Sequence, residues 1–262
     1  MGRSDAVGLP AVTPRSTRSF VGCIILLGFW FAAAAIGSPL LPSPLDVVAS
    51  LAELAGKGIL AEDTGASLYR VLCGVGIATA LGCLLAALSF AWPPLSEFLS
   101  GPVELARPIP PIAWIPLAIM LFGTGNSSAV AIVGLAAFFP IWLGAQQGLD
   151  RLRSPHLRAA RSLGAGRWIL LTDIVVPSVA PYFLHGMRIG VGLAWFSVVA
   201  AEMMGARSGL GNGIQLFSLN LQIAPLYAYL LVIGGIGFML NLMLSRAVDR
   251  VGWWQSGARD LG

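Results

Sequence analysis

Charged side chains are scarce in this chain of 262 residues. Asp, Glu, Lys and Arg together make up 11% of it, whereas they make up about a quarter of an average soluble domain. Hydrophobic residues make up 56%, and the mean hydropathy is +0.81. So little charge excludes a chain that folds around one soluble core. The net charge of +4 is spread between apolar runs, so it does not predict a nucleic-acid-binding surface.

Lysine is nearly absent, because Lys57 is the only one in the sequence. A phosphate-binding P-loop has the pattern G-x-x-x-x-G-K-[ST], in which the lysine contacts the phosphates. Gly58 follows Lys57, so the required hydroxyl residue is missing. The chain therefore lacks this ATP-binding motif, and an ATP-driven process would need a motor on another chain.

Cysteine and histidine are too few and too dispersed to form a reactive centre. Cys23, Cys73 and Cys83 lie in apolar runs without a C-x-x-C pattern, so we expect small buried thiols. His156 and His185 have no carboxylate or cysteine at ligand spacing. A membrane enzyme would need clustered histidines or carboxylates near one membrane face. We therefore expect no metal, no cofactor in this chain and no catalytic residue.

Six apolar runs dominate what is present, and a helix needs about 20 such residues to cross a bilayer. The runs are Phe20–Ile36, Ala66–Phe90, Val103–Phe122, Ser128–Gln147, Tyr182–Gly205 and Pro225–Ser245. The third contains four prolines, so its start should be irregular or kinked. Several runs are rich in glycine, which lets membrane helices approach closely. The predicted fold class is an all-α polytopic membrane protein with about six transmembrane helices.

The first run has two interpretations. Arg15 and Arg18, followed by an apolar stretch and Ala33–Ala35, also fit a secretory signal peptide. The long polar start favours a retained helix. In that interpretation residues 1–19 form a disordered cytoplasmic tail, residues 20–250 the transmembrane domain, and residues 251–262 a C-terminal tail.

The placement of arginine predicts the orientation, since cytoplasmic loops carry an excess of Lys and Arg. With the N-terminus inside, most of the 16 basic residues become cytoplasmic. Lys57, Arg70 and Arg207 then lie outside or near the outer boundary, and Arg188 lies at the inner start of the fifth run. Both termini are therefore predicted to be cytoplasmic.

Glu202 is the one acid deep inside an apolar run, and an intramembrane carboxylate is costly and functional by default. Two roles are open for it. It pairs with a cation, of which Arg207 is the nearest in sequence, or it belongs to a pathway or gate. Trp195 and Ser197 lie further inward, and Trp114 lies beside the proline-broken start of the third run. These four are candidates to line a pathway, with structural packing as the alternative.

A polar segment, residues 148–181, separates the fourth and fifth runs and is predicted to be cytoplasmic. Within it, Arg158–Gly164 can form a short helix that ends at Gly164, a residue suited to a left-handed cap. We expect Pro177 and Pro181 to end the segment before the fifth run. An amphipathic loop at the membrane surface is the alternative.

The stretch RAARSLGAGRWILLTDIVVP (Arg158–Pro177) resembles the cytoplasmic signature of ABC importer permeases. That signature is Glu-Ala-Ala, three residues, Gly, nine residues, Ile-x-Leu-Pro. Ala159, Ala160, Gly164, Ile174 and Pro177 match it, whereas Arg158 replaces the glutamate and Val176 the leucine. ARPIPPIAWIPLAIMLFGTG, AAFFPIWLGAQQGLD and GMRIGVGLAWFSVVAAEMMGARSGLG resemble the permeases for taurine, alkanesulfonates, nitrate and bicarbonate.

The resemblance implies a type I ABC importer permease fold in the inner membrane. It implies a second permease copy in a homodimer, ABC ATPase subunits that bind ATP and Mg, and a periplasmic or lipid-anchored solute-binding protein. It also implies that residues of the segment couple to the ATPase, namely Arg158, Ala159, Ala160, Arg161, Leu163, Gly164 and Pro177. The expected substrate is taurine or another sulfonate, with nitrate or bicarbonate as the alternative. A stand-alone secondary transporter or channel is the alternative from another class, but it would need more intramembrane ionisable groups than Glu202.

Overall fold

The computed structural model describes residues 15–152, 162, 164 and 166–256, and within them the chain is helical without strands. The helices are α1 (Arg15–Ala34), α2 (Pro44–Gly56), α3 (Ile59–Ala91), α4 (Pro93–Ala106), α5 (Ile115–Phe122), α6 (Asn126–Arg151), α7 (Val176–Gly205), α8 (Leu210–Leu219) and α9 (Ile223–Ser256). A 3₁₀ turn, Pro111–Trp114, precedes α5. Helical turns at Arg167–Ile169 and a π-helical stretch at Leu170–Val175 precede α7. The predicted all-α class is confirmed.

Four helical segments in the described part are long and apolar enough to cross a membrane. They are Ile59–Ala91, Asn126–Arg151, Thr172–Gly205 and Ile223–Arg250, and they contain the predicted second, fourth, fifth and sixth runs. The first run gives a shorter apolar stretch, Ile24–Ala34, within α1. α1 begins at Arg15 and α9 continues to Ser256, so both helices extend into the predicted tails.

The third predicted run is two helices rather than one. α4 and the segment Pro111–Phe122 meet at an angle of 89°. Proline lacks a backbone N–H and disfavours helical geometry in the residue before it. Pro108 follows the end of α4, and Pro111 begins the 3₁₀ turn, so these prolines end one helical direction and start another. The expected irregular start is confirmed, and the described chain has four spanning helices, or five if this bent pair counts as one.

The prolines ahead of the fifth run do not end the segment, which corrects the expectation from the sequence. Pro177 lies in the first turn of α7 and Pro181 lies inside that helix. A missing N–H is tolerated in a first turn. The π-helical stretch Leu170–Val175 has hydrogen bonds that reach one residue further than in an α-helix, and it joins the earlier turns to α7. The fifth span consequently begins at Thr172, ahead of the predicted Tyr182.

Glycines allow α6 to pack directly against the backbone of its neighbours. A methyl group on Gly144 would lie 2.7 Å from the carbonyl oxygen of Tyr182, and one on Gly186 would meet the carbonyl oxygen of Pro140. On the other side of α6, a methyl group on Gly74 of α3 would lie 2.5 Å from Val133. These contacts confirm the predicted glycine-dependent packing, and they place α6 between α3 and α7.

The sequence did not predict α2 and α8, which are short helices between the spans. α2 starts with a capping box: Ser43 Oγ accepts from the Asp46 amide at 3.2 Å, and Asp46 Oδ2 accepts from the Ser43 amide at 3.2 Å. Near its end, Lys57 Nζ donates to Glu53 Oε1 at 2.5 Å, and this hydrogen bond lowers the pKa of the Glu53 carboxyl group. α8 has no side chain of its own capping its N-terminus.

Candidate functional site

A buried ion pair joins α3 to α7. Arg70 Nη1 lies 2.5 Å from Glu202 Oε1, and the two side chains are 2% and 0% exposed. Removing two charges from water costs several kcal/mol per ion, so such a pair persists only with good geometry and further hydrogen bonds. Glu202 therefore has a cationic partner as expected, but that partner is Arg70. Arg207, the nearest cation in sequence, is exposed.

The other donors of the Arg70 guanidinium bind two further elements. Nε donates to Asn126 Oδ1 at 2.9 Å, at the start of α6. Nη1 also donates to the carbonyl oxygen of Ser208 at 2.7 Å, and Nη2 donates to Ser208 Oγ at 3.0 Å. Arg70 thus connects α3, α6, α7 and the loop before α8.

Side chains from α3 and α7 cap α8 in place of a local residue. The Leu210 amide donates to Ser67 Oγ at 2.9 Å, and the Gly211 amide donates to Glu202 Oε2 at 2.9 Å. Ser67 Oγ itself donates to Glu202 Oε2 at 2.9 Å. The first amides of a helix have no partner within the helix and favour negative charge nearby. Glu202 therefore serves at once as the counter-ion of Arg70 and as a cap of α8.

Asp63 extends the same network to α9. Its Oδ1 accepts from the Gly209 amide at 2.8 Å, and its Oδ2 accepts from the Tyr229 hydroxyl at 2.7 Å. The Tyr229 ring also lies 5.0 Å from the ring of Phe217 on α8, centroid to centroid, in an edge-on arrangement. We call this end of the bundle, where α3, α6 and α9 begin and α7 ends, the network end.

A large cavity of about 840 Å³ lies toward the opposite end, between the bent α4–α5 pair, α6 and α7. Polar and aromatic residues of its lining include Arg107, Trp114, Gln147, Tyr182 and His185. Its lining includes a guanidinium and an imidazole but no carboxylate. At neutral pH, therefore, the side chains of this lining can carry only positive charge.

The four pathway candidates do not come together in the structure. Trp114 lines the large cavity, whereas Trp195 is 7% exposed and donates from Nε1 to the carbonyl oxygen of Ile233 at 3.1 Å. Ser197 is buried in α7, and Glu202 belongs to the buried network. A pathway role for these residues stays a prediction.

One face of α7 carries a row of exposed side chains that the sequence did not predict. His185, Ile189, Leu193, Phe196 and Met203 are all exposed, and their spacing places them on one side of a helix. The first three line the large cavity. Met203 lines a second hollow at the network end, and the residues between Phe196 and Met203 are buried or half-buried. This face of α7 therefore borders both hollows.

Most of the predicted ATPase-coupling residues lie outside the described part of the chain. They are Arg158, Ala159, Ala160, Arg161 and Leu163. Gly164 is described, is exposed and has φ +82°, the left-handed conformation expected of it. Pro177 is half-buried at the start of α7. The coupling role of these residues stays a prediction.

The sequence contained an unused signal for the network. Arg70 is the cation inside the second apolar run, and Glu202 is the acid inside the fifth. Both fall near the predicted outer boundary. A buried charge requires a partner. Two opposite charges at the same depth in the membrane are therefore expected to pair with each other. The roles of Asp63, Ser67 and Tyr229 had no comparable signal, since polar residues are common at the ends of membrane spans.

In the described residues no group of three or more His, Cys, Asp or Glu is arranged to hold a metal.

Known proteins resemble both the sequence and the fold. Residues 78–252 match the family described as binding-protein-dependent transport system inner membrane component. The chain is 36% identical to a "Probable ABC transporter permease protein" of Brucella abortus (strain 2308), over 88% of this chain and 93% of that protein. It is 35% identical to the taurine transport system permease protein TauC of Escherichia coli (strain K12), over 86% and 85%. It is 32% identical to the nitrate import permease protein NrtB of Synechococcus elongatus, over 73% of each.

The fold is similar to that of a chain of the MetNI methionine ABC transporter, solved in an inward-facing conformation. The TM-score is 0.62 at 19% identity, covering 75% of this chain and 98% of that one. This similarity confirms the predicted type I importer permease fold. The family match covers more than half of the chain, and the similarity to TauC extends along most of it. The chain therefore belongs to the binding-protein-dependent inner membrane components, as a permease of the ABC importers related to those for taurine, sulfonates and nitrate.

Proposed function

We propose that this permease moves taurine or another small sulfonate into the cytoplasm. The observation that carries the proposal is the large cavity, whose lining has Arg107 and His185 but no carboxylate. Among the described residues Arg107 forms no ion pair. A guanidinium binds oxyanions well, a sulfonate included, because its N–H groups form a fork of charged donors that can contact two oxygens at once. Nitrate and bicarbonate are the alternative substrates, since both would also find a cation here.

The proposed transporter includes three kinds of partner. ABC ATPase subunits bind ATP and Mg and contact the Arg158–Gly164 segment. A periplasmic or lipid-anchored solute-binding protein delivers the substrate to the network end, which faces outward. A second copy of this chain completes a homodimer in the inner membrane. The scarcity of charge supports the membrane location, and the clustering of arginine supports cytoplasmic termini.

The exposed face of α7 supports a paired arrangement of permeases. It borders the large cavity at one end and the hollow at the network end at the other. In a homodimer, two such faces opposite each other would enclose a path between the hollows. The permease would then provide shape and charge along the path, while the chemical step takes place on the ATPase.

The state of Glu202 disfavours a stand-alone transporter driven by an ion gradient. Such a protein needs an intramembrane ionisable group that can release and take up the coupling ion. Glu202 is buried and bound to Arg70, Ser67 and the Gly211 amide. The Glu202 carboxylate therefore stabilises the bundle and is not available to bind and release a coupling ion.

The test is uptake by the complete complex in proteoliposomes, with taurine, ethanesulfonate, nitrate and bicarbonate compared as substrates. We expect uptake of the two sulfonates in preference to the other two. Arg107→Gln should raise the KM for taurine about tenfold, the effect of losing one charge-assisted hydrogen bond. Arg246→Gln is the control, because Arg246 is exposed near the same end of the bundle and does not line the cavity. Uptake of nitrate alone, or an unchanged KM in Arg107→Gln, would refute the sulfonate proposal.

A further inference from the structure

The second hollow, at the network end, has a volume of about 320 Å³ and is called the Arg207 pocket here. Its polar lining consists of Thr124, Arg207, Asn212 and Gln215, and no carboxylate lines it. Another hollow at the network end, of about 640 Å³, is lined by Glu53 and Asp63 as well as a lysine. An anion arriving at this end would therefore be attracted to the Arg207 pocket and repelled from its neighbour.

Arg207 has no ion-pair or hydrogen-bond partner among the described residues, whereas Arg70 is neutralised by Glu202. In the part of the chain that the structure describes, the ion pairs are Lys57–Glu53 and Arg70–Glu202. The side chain of Arg207 is exposed and forms no hydrogen bond there. All the donors of its guanidinium are therefore available to a ligand.

The backbone on both sides of Arg207 is held in place. The carbonyl oxygen of Ala206 accepts from Asn212 Nδ2 at 2.9 Å. The carbonyl oxygen of Ser208 accepts from the buried Arg70 Nη1 at 2.7 Å. The loop that carries Arg207 is thus ordered before any ligand binds, which lowers the entropic cost of binding.

The rest of the pocket fits a small oxyanion with a short organic tail. Gln215 and Thr124 offer an amide and a hydroxyl beside the guanidinium. Met203, Leu216 and other apolar side chains form the remaining wall, where a carbon chain would pack. Met203 also lies on the same face of α7 as Phe196 and the residues that line the large cavity.

We propose that the Arg207 pocket is the entry site of the permease, where an alkylsulfonate-type oxyanion binds Arg207 after release from the solute-binding protein. The proposal rests on the proposed function, because it requires an anionic solute. The buried Arg70–Glu202 pair acts on this site only as a positioning element, through Ser208. An acidic surface of the solute-binding protein is the competing partner for Arg207. Gln215 and Thr124 line the same hollow as the guanidinium, and this favours the small ligand.

The experiment uses the complete complex in proteoliposomes, with radiolabelled taurine and saturating solute-binding protein. Arg207→Gln should lower uptake about tenfold, the loss expected for one charge-assisted contact. Arg207→Lys should keep part of the activity, because the charge remains but the forked geometry is lost. Lys57→Gln is the matched control: it removes one outer positive charge from a residue outside the Arg207 pocket, and uptake should be unchanged.

A second measurement separates the two partners of Arg207. The affinity of the solute-binding protein for the complex should stay within about twofold in Arg207→Gln, since the lost contact is with the solute. A tenfold weaker affinity would show that Arg207 binds the protein, and it would overturn the proposal. Unchanged uptake in Arg207→Gln would overturn it as well.

Failure of the proposed function would give a different result from failure of the entry site alone. If the wild-type complex takes up nitrate but no sulfonate, the same variants are tested with nitrate. A tenfold loss of nitrate uptake in Arg207→Gln would then support the entry site and refute the sulfonate assignment. If the wild-type complex takes up only neutral or cationic solutes, the entry site is wrong together with the proposed function.

Discussion

Arg70 Nη1 and Glu202 Oε1 lie 2.5 Å apart in the interior of the bundle, although the two residues are 132 positions apart in sequence. This contact joins the beginning of α3 to the end of α7. Because Glu202 also caps α8, one carboxylate holds together three helices at the network end. The pair is therefore expected to determine how firmly this end of the permease is assembled.

Glu202→Gln should destabilise the assembled complex by about 3–5 kcal/mol, because Arg70 is left as a buried charge without a counter-ion. The measurement is the unfolding of the purified complex in detergent, followed by heat or denaturant. Substrate preference should not change, since the side chain is buried away from both hollows.

The double variant Arg70→Gln/Glu202→Gln tests the reason for that loss. It removes both charges, so its loss of unfolding free energy should be smaller than the sum of the losses in the two single variants. Glu53→Gln is the control, because its pair with Lys57 is exposed and exposed pairs contribute little. Wild-type stability in Glu202→Gln would contradict the structural role, and altered substrate preference at normal stability would place Glu202 in the pathway.

Gly186→Ala should reduce the yield and the stability of the complex, whereas Gly192→Ala on the same helix should have little effect. A methyl group at position 186 would meet the carbonyl oxygen of Pro140 on α6, and one at position 192 would meet nothing within 4 Å. Overpacking of this kind costs about 1–3 kcal/mol. Unfolding of both variants in detergent measures the difference, and equal stability would show that α6 and α7 do not pack this closely.

Gly164→Val should abolish transport and substrate-stimulated ATP hydrolysis while the permease still inserts into the membrane. Gly164 has φ +82°, and a left-handed conformation costs an L-residue about 1–2 kcal/mol. Gly166→Val is the control, because Gly166 is equally open but does not have a positive φ. Normal transport by Gly164→Val would remove the coupling role of the Arg158–Gly164 segment.

Single cysteines should establish the orientation in a background without Cys23, Cys73 and Cys83. Lys57→Cys should react with a membrane-impermeant thiol reagent in intact cells. Trp168→Cys, whose position is exposed, should react only after the membrane is opened. Labelling of Trp168→Cys from outside would invert the topology and exclude the coupling role.

Hydropathy predicted most of the spans because burial in lipid requires long apolar runs whatever the neighbouring helices do. The predicted second, fourth, fifth and sixth runs all lie within the spanning helices of the structure. Proline chemistry likewise predicted the break before α5. The same reasoning was wrong at Pro177, because the π-helical stretch Leu170–Val175 lets the helix continue. The short helices α2 and α8 were missed because they are too short to register as spans.

The sequence by itself determined the all-helical membrane architecture, the importer family and the left-handed glycine at position 164. These features depend on local composition and spacing. Only the tertiary structure decided that Glu202 binds Arg70 rather than Arg207, and that Ser67 and Glu202 cap α8. Proximity along the chain favoured Arg207. However, a buried charge is paired with whichever opposite charge the packed helices bring to it at bonding distance, and that depends on how α3, α7 and α8 meet in space.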